Sequence, residues 1–338
     1  MKDILEVKDL KTKFFVQNEV YSAVDGVSFS ISGGDTLAIV GESGCCKSVT
    51  ASSILQIVPD PPGRIVSGEI WFKGENLLLK SEEEMRRIRG KQITMIFQEP
   101  MTSLNPVFRV GSQIEEAVLL HQDFPNEHGR SLSPGQKKKI ARERTVELLK
   151  KAGIPDAALR ARDYPHQLSG GMRQRVMIAM ALVCQPDLLI ADEPTTALDV
   201  TVQAQILDLL LHLKREFKTA IIFITHDFGI VAEFADNVAV MYAGQIVEQG
   251  TTFQIFDNPG HPYTRGLMHS IPRLDLEEQD LHVIPGRVPS SAKYPPGCRF
   301  APRCSEVQTR CWQSMPPLVP AGDGHIIRCF AIEGGQLA

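Results

Sequence analysis

The sequence predicts an α/β protein whose parallel sheet is flanked by helices, and three observations carry that expectation. Continuous apolar runs at Leu37-Ala38-Ile39-Val40, Leu188-Leu189-Ile190-Ala191 and Ala220-Ile221-Ile222-Phe223-Ile224 are the pattern of strands buried on both faces. Between the last two, Val202 to Phe217 sets Ile206, Leu209, Leu210, Leu213 and Phe217 on one helical face. Strand, helix, strand in that order gives a parallel sheet. The 338 residues are ample to bury a core, and 43% apolar with 22% charged residues excludes a disordered chain. A formal net charge of −4 argues against a general nucleic-acid footprint. No run approaches the roughly 18 apolar residues of a membrane-spanning helix, and Met1 to Val7 lacks a signal-peptide core, so a cytoplasmic protein is expected.

Along the chain, Leu5-Glu6-Val7 and Gly26 to Ile31 alternate like half-exposed antiparallel strands, and so does Val238 to Met241 before Ala243-Gly244. Leu37 to Val40 is followed by a glycine turn and a predicted helix over Ser48 to Val58. Ile93 to Phe97 is a further strand. A helical subdomain is expected over about residues 99–180. The charged stretches Glu82 to Arg89 and Lys137-Lys138-Lys139 with Arg142 and Arg144 read as solvated helix faces. Eleven of the 22 prolines lie from Pro259 onward, with Cys298, Cys304, Cys311 and Cys329, so that region reads mostly as loops. The expected division is a main domain over 1–255 and a small extension over 256–338.

The chemistry is densest at Gly41-Glu42-Ser43-Gly44-Cys45-Cys46-Lys47-Ser48-Val49, after a strand and opening a helix. In such a loop backbone N–H groups surround nucleotide phosphates, Lys47 neutralises them, and the Ser48 hydroxyl ligates Mg²⁺. Cys46 departs from the pattern, which has glycine before the lysine. A glycine-only backbone there would carry strain on the order of 1–3 kcal/mol, enough to weaken binding about 5- to 150-fold, and a side chain pointing into the space the phosphate needs would add a steric clash. Near a helix N-terminus the Cys45 and Cys46 thiols are expected to have lowered pKa values. Cys184 reads as a small buried hydrophobe on the helix after Arg175. The strand Leu188 to Ala191 ends in Asp192 and Glu193, placed to hold Mg²⁺ and to polarise an attacking water.

Leu168-Ser169-Gly170-Gly171-Met172-Arg173-Gln174-Arg175 resembles the signature motif of the ABC ATPase family, and five further motifs follow that family's order. They are the phosphate loop, Gln98 (the Q-loop), Asp192-Glu193, Ala197-Leu198-Asp199 (the D-loop) and His226 (the switch histidine). The resemblance implies an ABC cassette with a parallel-sheet core, an antiparallel β portion and a helical subdomain. It implies that a second cassette completes each ATP site, with Ser169, Gly170 and Gly171 contacting the partner's nucleotide and the helix from Val176 aiming its dipole at it. Glu193, His226 and Gln98 would be catalytic, Gln98 also contacting the Mg²⁺ held by Ser48 and Asp192. An upstream aromatic would stack on adenine, Phe15 by spacing or else Tyr21. Phe97 to Pro106, Asn258 to Leu267 and Gly297 to Cys304 are similar to the ATP-binding subunits of oligopeptide and dipeptide importers, nearer that branch's D-type than its F-type chain. This implies ATP-driven peptide import with two integral-membrane permease subunits, an F-like or identical second cassette and, indirectly, a peptide-binding protein. It also implies a peripheral position on the cytoplasmic membrane face, and no nucleic-acid partner.

The four tail cysteines are separated by five, six and seventeen residues. Disulfides would not persist in a reducing compartment, so a metal staple is expected, a 4Fe–4S cluster ahead of Zn²⁺ because no closely spaced pair is present. Two other readings stay open from sequence: a nucleotide-binding or iron–sulfur regulatory module without turnover, which Cys46 suggests, and a non-transport ABC protein, for which the usual second cassette or coiled-coil insertion is missing.

Overall fold

A computed structural model describes residues 3–98, 103–122, 132–196, 198–270, 283–333 and 336–337. Its main strands are β1 (Asp3–Val16), β2 (Glu19–Ser32), β3 (Thr36–Val40), β4 (Gly63–Phe72), β5 (Glu75–Asn76), β6 (Ile93–Ile96), β7 (Leu188–Asp192), β8 (Ala220–Thr225), β9 (Asn237–Tyr242), β10 (Gln245–Thr251), β11 (Val319–Gly322) and β12 (His325–Ile327). The chain divides into two compact units, residues 1–79 with 223–338, and residues 80–222.

In the first unit β2-β1-β4-β5 form an antiparallel sheet. Leu5, Val7, Leu10 and Thr12 of β1 turn to its buried side, and the period slips at a bulge between Val7 and Leu10. Gly68 faces that bulge at φ +111°, where a Cβ would lie 2.6 Å from the Leu10 Cα. A side chain there would hold β1 and β4 apart. The second sheet of this unit runs β11-β12-β10-β9-β3. The fully buried β3 pairs in parallel with β9, whose alternation had suggested a half-exposed antiparallel strand; Val238 to Tyr242 are in fact all buried. Its partner on the other side, β10, is antiparallel, joined through Ala243 and Gly244, both at positive φ.

The proline-rich region is more ordered than its composition suggests. Helix Pro262–His269 starts at His261, whose Nδ1 accepts from the Tyr263 N–H at 3.0 Å. The fully buried Glu248 of β10 accepts from the Gly260 and His261 N–H groups (2.7 and 2.9 Å) and pairs with His325 of β12 at 2.8 Å. Burial alone would raise the Glu248 carboxyl, but the bond from His325 and the backbone donors outweigh it and leave the pKa lowered. Burial holds His261 neutral, with its pKa pushed down to about 4. The unfolded chain, with an ordinary histidine near 6.5, therefore takes up this proton first as pH falls. Stability is expected to drop between about pH 6.5 and pH 4, by up to about 1.4 kcal/mol per pH unit from this residue. Thermal unfolding midpoints across that window should show it, and His261→Asn should flatten the slope.

In the second unit β6 and β7 pair in parallel, Ile93 opposite Leu188. Helices Val110–His121, Pro134–Lys151, Gly170–Leu182 and Val200–Phe217 belong to it. Capping boxes at Ser81 with Glu84 and Ser133 with Gln136 fix two helix starts. Helix Val200–Phe217 buries Ile206, Leu209, Leu210 and Leu213 of the face read from the sequence, while Phe217 at its end is only half-buried. β8 spans the division between the units. Among the described residues no helix is long and apolar enough to cross a membrane.

Candidate nucleotide site

The first unit carries the loop from Gly41 to Ser48, between β3 and helix Lys47–Ile54, which is shorter than the Ser48–Val58 segment expected. Gly41 has φ +154°, and a Cβ there would sit 2.2 Å from the Met241 carbonyl oxygen of β9. Glycine is thus required by close approach of two backbones. Ser43 and Gly44 (φ +87°) form the exposed rim. Cys46 precedes the helix in the left-handed region, φ 68° and ψ 28°, and offers its helix no side-chain cap. The N–H groups of the Lys47, Ser48 and Val49 turn are the kind of donors that bind phosphate. Lys47 is buried, with Nζ donating to the carbonyls of Gly41 (2.7 Å) and Glu42 (3.1 Å).

The two loop thiols are not acidified. Cys45 is completely buried beneath the loop, 3.9 Å from the Tyr263 hydroxyl, and burial raises its pKa. Burial likewise pushes Cys46 up to about 11; its Sγ donates to the Gly44 carbonyl at 3.5 Å. Desolvation outweighs the nearby lysine and corrects the expectation of reactive thiolates.

Phe15, at the end of β1, is 47% exposed with its N–H donated to Pro62. Tyr21 donates its hydroxyl to Glu19 at 2.7 Å. His226 follows β8 and is exposed, while Asp227 caps the next helix through the Gly229 N–H.

In the second unit the adjacent ends of β6 and β7 bring Gln98 and Glu193 together. Gln98 Nε2 donates to Glu193 Oε2 at 3.1 Å, and Thr196 Oγ1 donates to the same oxygen at 3.0 Å. Glu193 is 8% exposed and has φ +45°, backbone strain of the sort stored at functional sites. Asp192, the last residue of β7, is buried. Ser169 caps helix Gly170–Leu182 by accepting the Met172 N–H at 3.3 Å, so the helix starts at Gly170 rather than Val176. Ser169 and Gly170 are exposed, and a Cβ on Gly171 would lie 2.9 Å from Val202. Gln174 is fully buried and donates to the Pro194 carbonyl, tying the signature helix to the turn after Glu193. No sequence pattern signalled that link. Asp199 caps helix Val200–Phe217 through the Val202 N–H at 2.9 Å. Ala197 and Glu99 to Thr102 lie outside the described residues. Cys184 falls just past its helix and donates to the Ala117 carbonyl at 3.6 Å; burial pushes its pKa up to about 11.

Cys298, Cys304, Cys311 and Cys329 are unpaired thiols lining one small cavity with His261 and Phe300. Burial raises Cys298 and Cys329, and pushes Cys304 to about 11. Among the described residues no three His, Cys, Asp or Glu side chains are grouped to hold a single metal ion.

Residues 24–196 match the family model described as ABC transporter, and residues 247–311 the one described as oligopeptide/dipeptide transporter, C-terminal region. The chain is 50% identical over 333 residues to the oligopeptide transport ATP-binding protein AppD of Bacillus subtilis, covering 98% of both. It is 48% identical over 330 residues to the dipeptide transport ATP-binding protein DppD of the same organism, covering 98% of this chain and 95% of that protein. Among solved structures, the dimeric ATP-binding cassette MJ0796 bound to ADP and Pi matches with a TM-score of 0.62 and 25% identity, over 73% of this chain and 98% of that one.

Proposed function

The chain belongs to the ABC transporter family of ATP-binding cassettes, and from that membership we propose that it is the ATP-hydrolysing subunit powering import of di- and oligopeptides. Similarity to AppD and DppD over almost the whole chain supports the substrate class. The observation that carries the catalytic reading is the Glu193–Gln98 contact at the ends of adjacent parallel strands. A carboxylate held at one oxygen by Gln98 and Thr196 is oriented before water arrives, and preorganisation is what a general base needs.

In this reading Lys47 exchanges its loop carbonyls for the β- and γ-phosphates, while N–H groups of the Lys47–Val49 turn receive phosphate oxygens. The hard oxygen donors of Ser48 and Asp192 suit Mg²⁺, which would neutralise charge on the transferring phosphoryl group. Glu193 orients the attacking water, and His226 senses the γ-phosphate. Phe15 stacks on adenine, its exposed ring supporting that role. The exposed Ser169 and Gly170 and the partly buried Gly171, with Asp199, complete the site of a second cassette, proposed as a related F-like chain. Domain boundaries are proposed at residues 1–255 and 256–338, with a helical subdomain over about 99–180. The four cysteines would hold a 4Fe–4S cluster, with Zn²⁺ the alternative; four thiols on one cavity are a donor set that supports it. The subunit would sit at the cytoplasmic membrane face against two permease subunits.

Reconstitution with its permease and second cassette in lipid vesicles tests the function. ATP turnover is expected to rise when a peptide-loaded binding protein is added and not with the empty binding protein. Turnover indifferent to peptide would refute the substrate assignment while leaving the ATPase standing.

A further inference from the structure

The segment between Cys298 and Cys304 reaches the phosphate loop directly through Arg303, and through Arg299 it reaches the β9–β10 turn that bonds the loop, although more than 250 residues separate segment and loop in sequence. Arg303 is nearly buried, and its Nη1 donates to the Glu42 carboxylate at 3.1 Å and to the Tyr242 hydroxyl at 3.4 Å. Its Nε and Nη2 donate to the carbonyls of Pro285 (2.8 Å) and Ile284 (3.3 Å), so the guanidinium is held on three sides. Arg299 donates to the Ala243 carbonyl at 2.6 Å and pairs with Asp25. The adjoining Gly244 N–H donates to the Cys45 carbonyl at 3.3 Å. Between the arginines, Phe300 packs against Tyr242 and Tyr263, with ring centroids 5.2 and 5.4 Å away. The Tyr263 hydroxyl in turn accepts the Glu42 N–H at 2.9 Å. Cys45, Tyr242, Tyr263 and Phe300 lie in one hydrophobic core, with Cys298 and Cys304 against its edge.

We propose that Arg303 is a positioning residue for the phosphate loop: through Glu42 it sets the loop's geometry, so the packing of the cysteine segment is read out as nucleotide affinity. The proposal deepens the nucleotide reading above and rests on it for its functional consequence. The physical reason is specific to arginine. Its planar fork donates to Glu42 while its other N–H groups are anchored to backbone carbonyls, which transmits the position of the extension to the loop. Methionine keeps much of the side-chain volume and loses all of these bonds.

The test uses the full chain, with Arg303→Met, Glu42→Gln and the double variant. Without nucleotide, an iodoacetamide pulse followed by peptide mass spectrometry reads the alkylation rates of the buried Cys45 and of Cys184, which lies in the other unit. Arg303→Met should speed Cys45 alkylation about tenfold with Cys184 unchanged, and weaken Mg-ATP binding about fivefold. Glu42→Gln, which keeps an acceptor oxygen for Arg303 but removes the charge, should reproduce both effects in part, and the double variant should be no worse than Arg303→Met alone. An unchanged Cys45 rate, a parallel rise at Cys184, or additive effects in the double variant would overturn the proposal. Absence of Mg-ATP binding by the unsubstituted chain would instead sink the nucleotide reading, and the Cys45 rates would still decide whether Arg303 positions the loop.

Discussion

Replacing Glu193 by glutamine is expected to lower ATP turnover by about 10²- to 10³-fold and leave Mg-ATP affinity within a few-fold, the loss typical of removing a positioned general base. The geometry isolates the effect. Glu193 receives hydrogen bonds from Gln98 and Thr196 on one oxygen, and glutamine can still offer a carbonyl oxygen to both. What disappears is the negative charge, not the scaffold. Steady-state phosphate release, set beside calorimetric affinity for Mg-ATP, separates the two quantities. A variant that hydrolyses ATP at the unsubstituted rate would remove Glu193 from the reaction.

Replacing Cys46 by glycine is expected to tighten Mg-ATP binding by about 5- to 150-fold, the range given by relieving an overpacked site. The sequence assigned the penalty at this position to backbone strain, with a steric clash of the side chain adding to it. The structure moves that strain elsewhere: Cys46 already has φ 68° and ψ 28° in the folded loop, so left-handed strain of about 1–2 kcal/mol is borne by folding and not by binding. The effect expected on affinity is therefore assigned to the thiol, whose Sγ donates to the Gly44 carbonyl at 3.5 Å within the loop proposed to hold the phosphates. Calorimetry on both proteins distinguishes the outcomes. Equal affinities would mean that the loop tolerates the side chain; binding gained only with glycine would mean that this chain carries a disabled site.

Local signals were legible where the chemistry is local. The phosphate loop, the strand ending in Asp192-Glu193 and the signature from Leu168 to Arg175 each fit within ten residues, and their chain order did the rest. The buried strands β3, β7 and β8 could be read because each carries an uninterrupted run of at least four apolar residues. β9 misled because its neighbours on either side, not its own alternation, decide its burial. Most opaque was the extension. β12 is three residues long and finds its partner in β10, about 80 residues earlier, while Arg299 and Arg303 reach Asp25 and Glu42. Proline density marks such a region as loop, because composition carries no record of a contact made so far along the chain. The helix starts at Gly170 and Lys47 shifted for a related reason: a cap is set by one side chain or one left-handed residue, below the grain of periodicity.

The pairing of β10 with β12 also bears on how the protein is made. A ribosome emits β10 long before Val319 to Ile327, so during synthesis Gln245–Thr251 presents open backbone donors and acceptors on the flank that β12 later covers. Until His325 emerges, the buried Glu248 carboxylate also lacks its histidine. Covering of that edge therefore waits on emergence of β12, and a product ended before it would carry an exposed strand edge prone to aggregation.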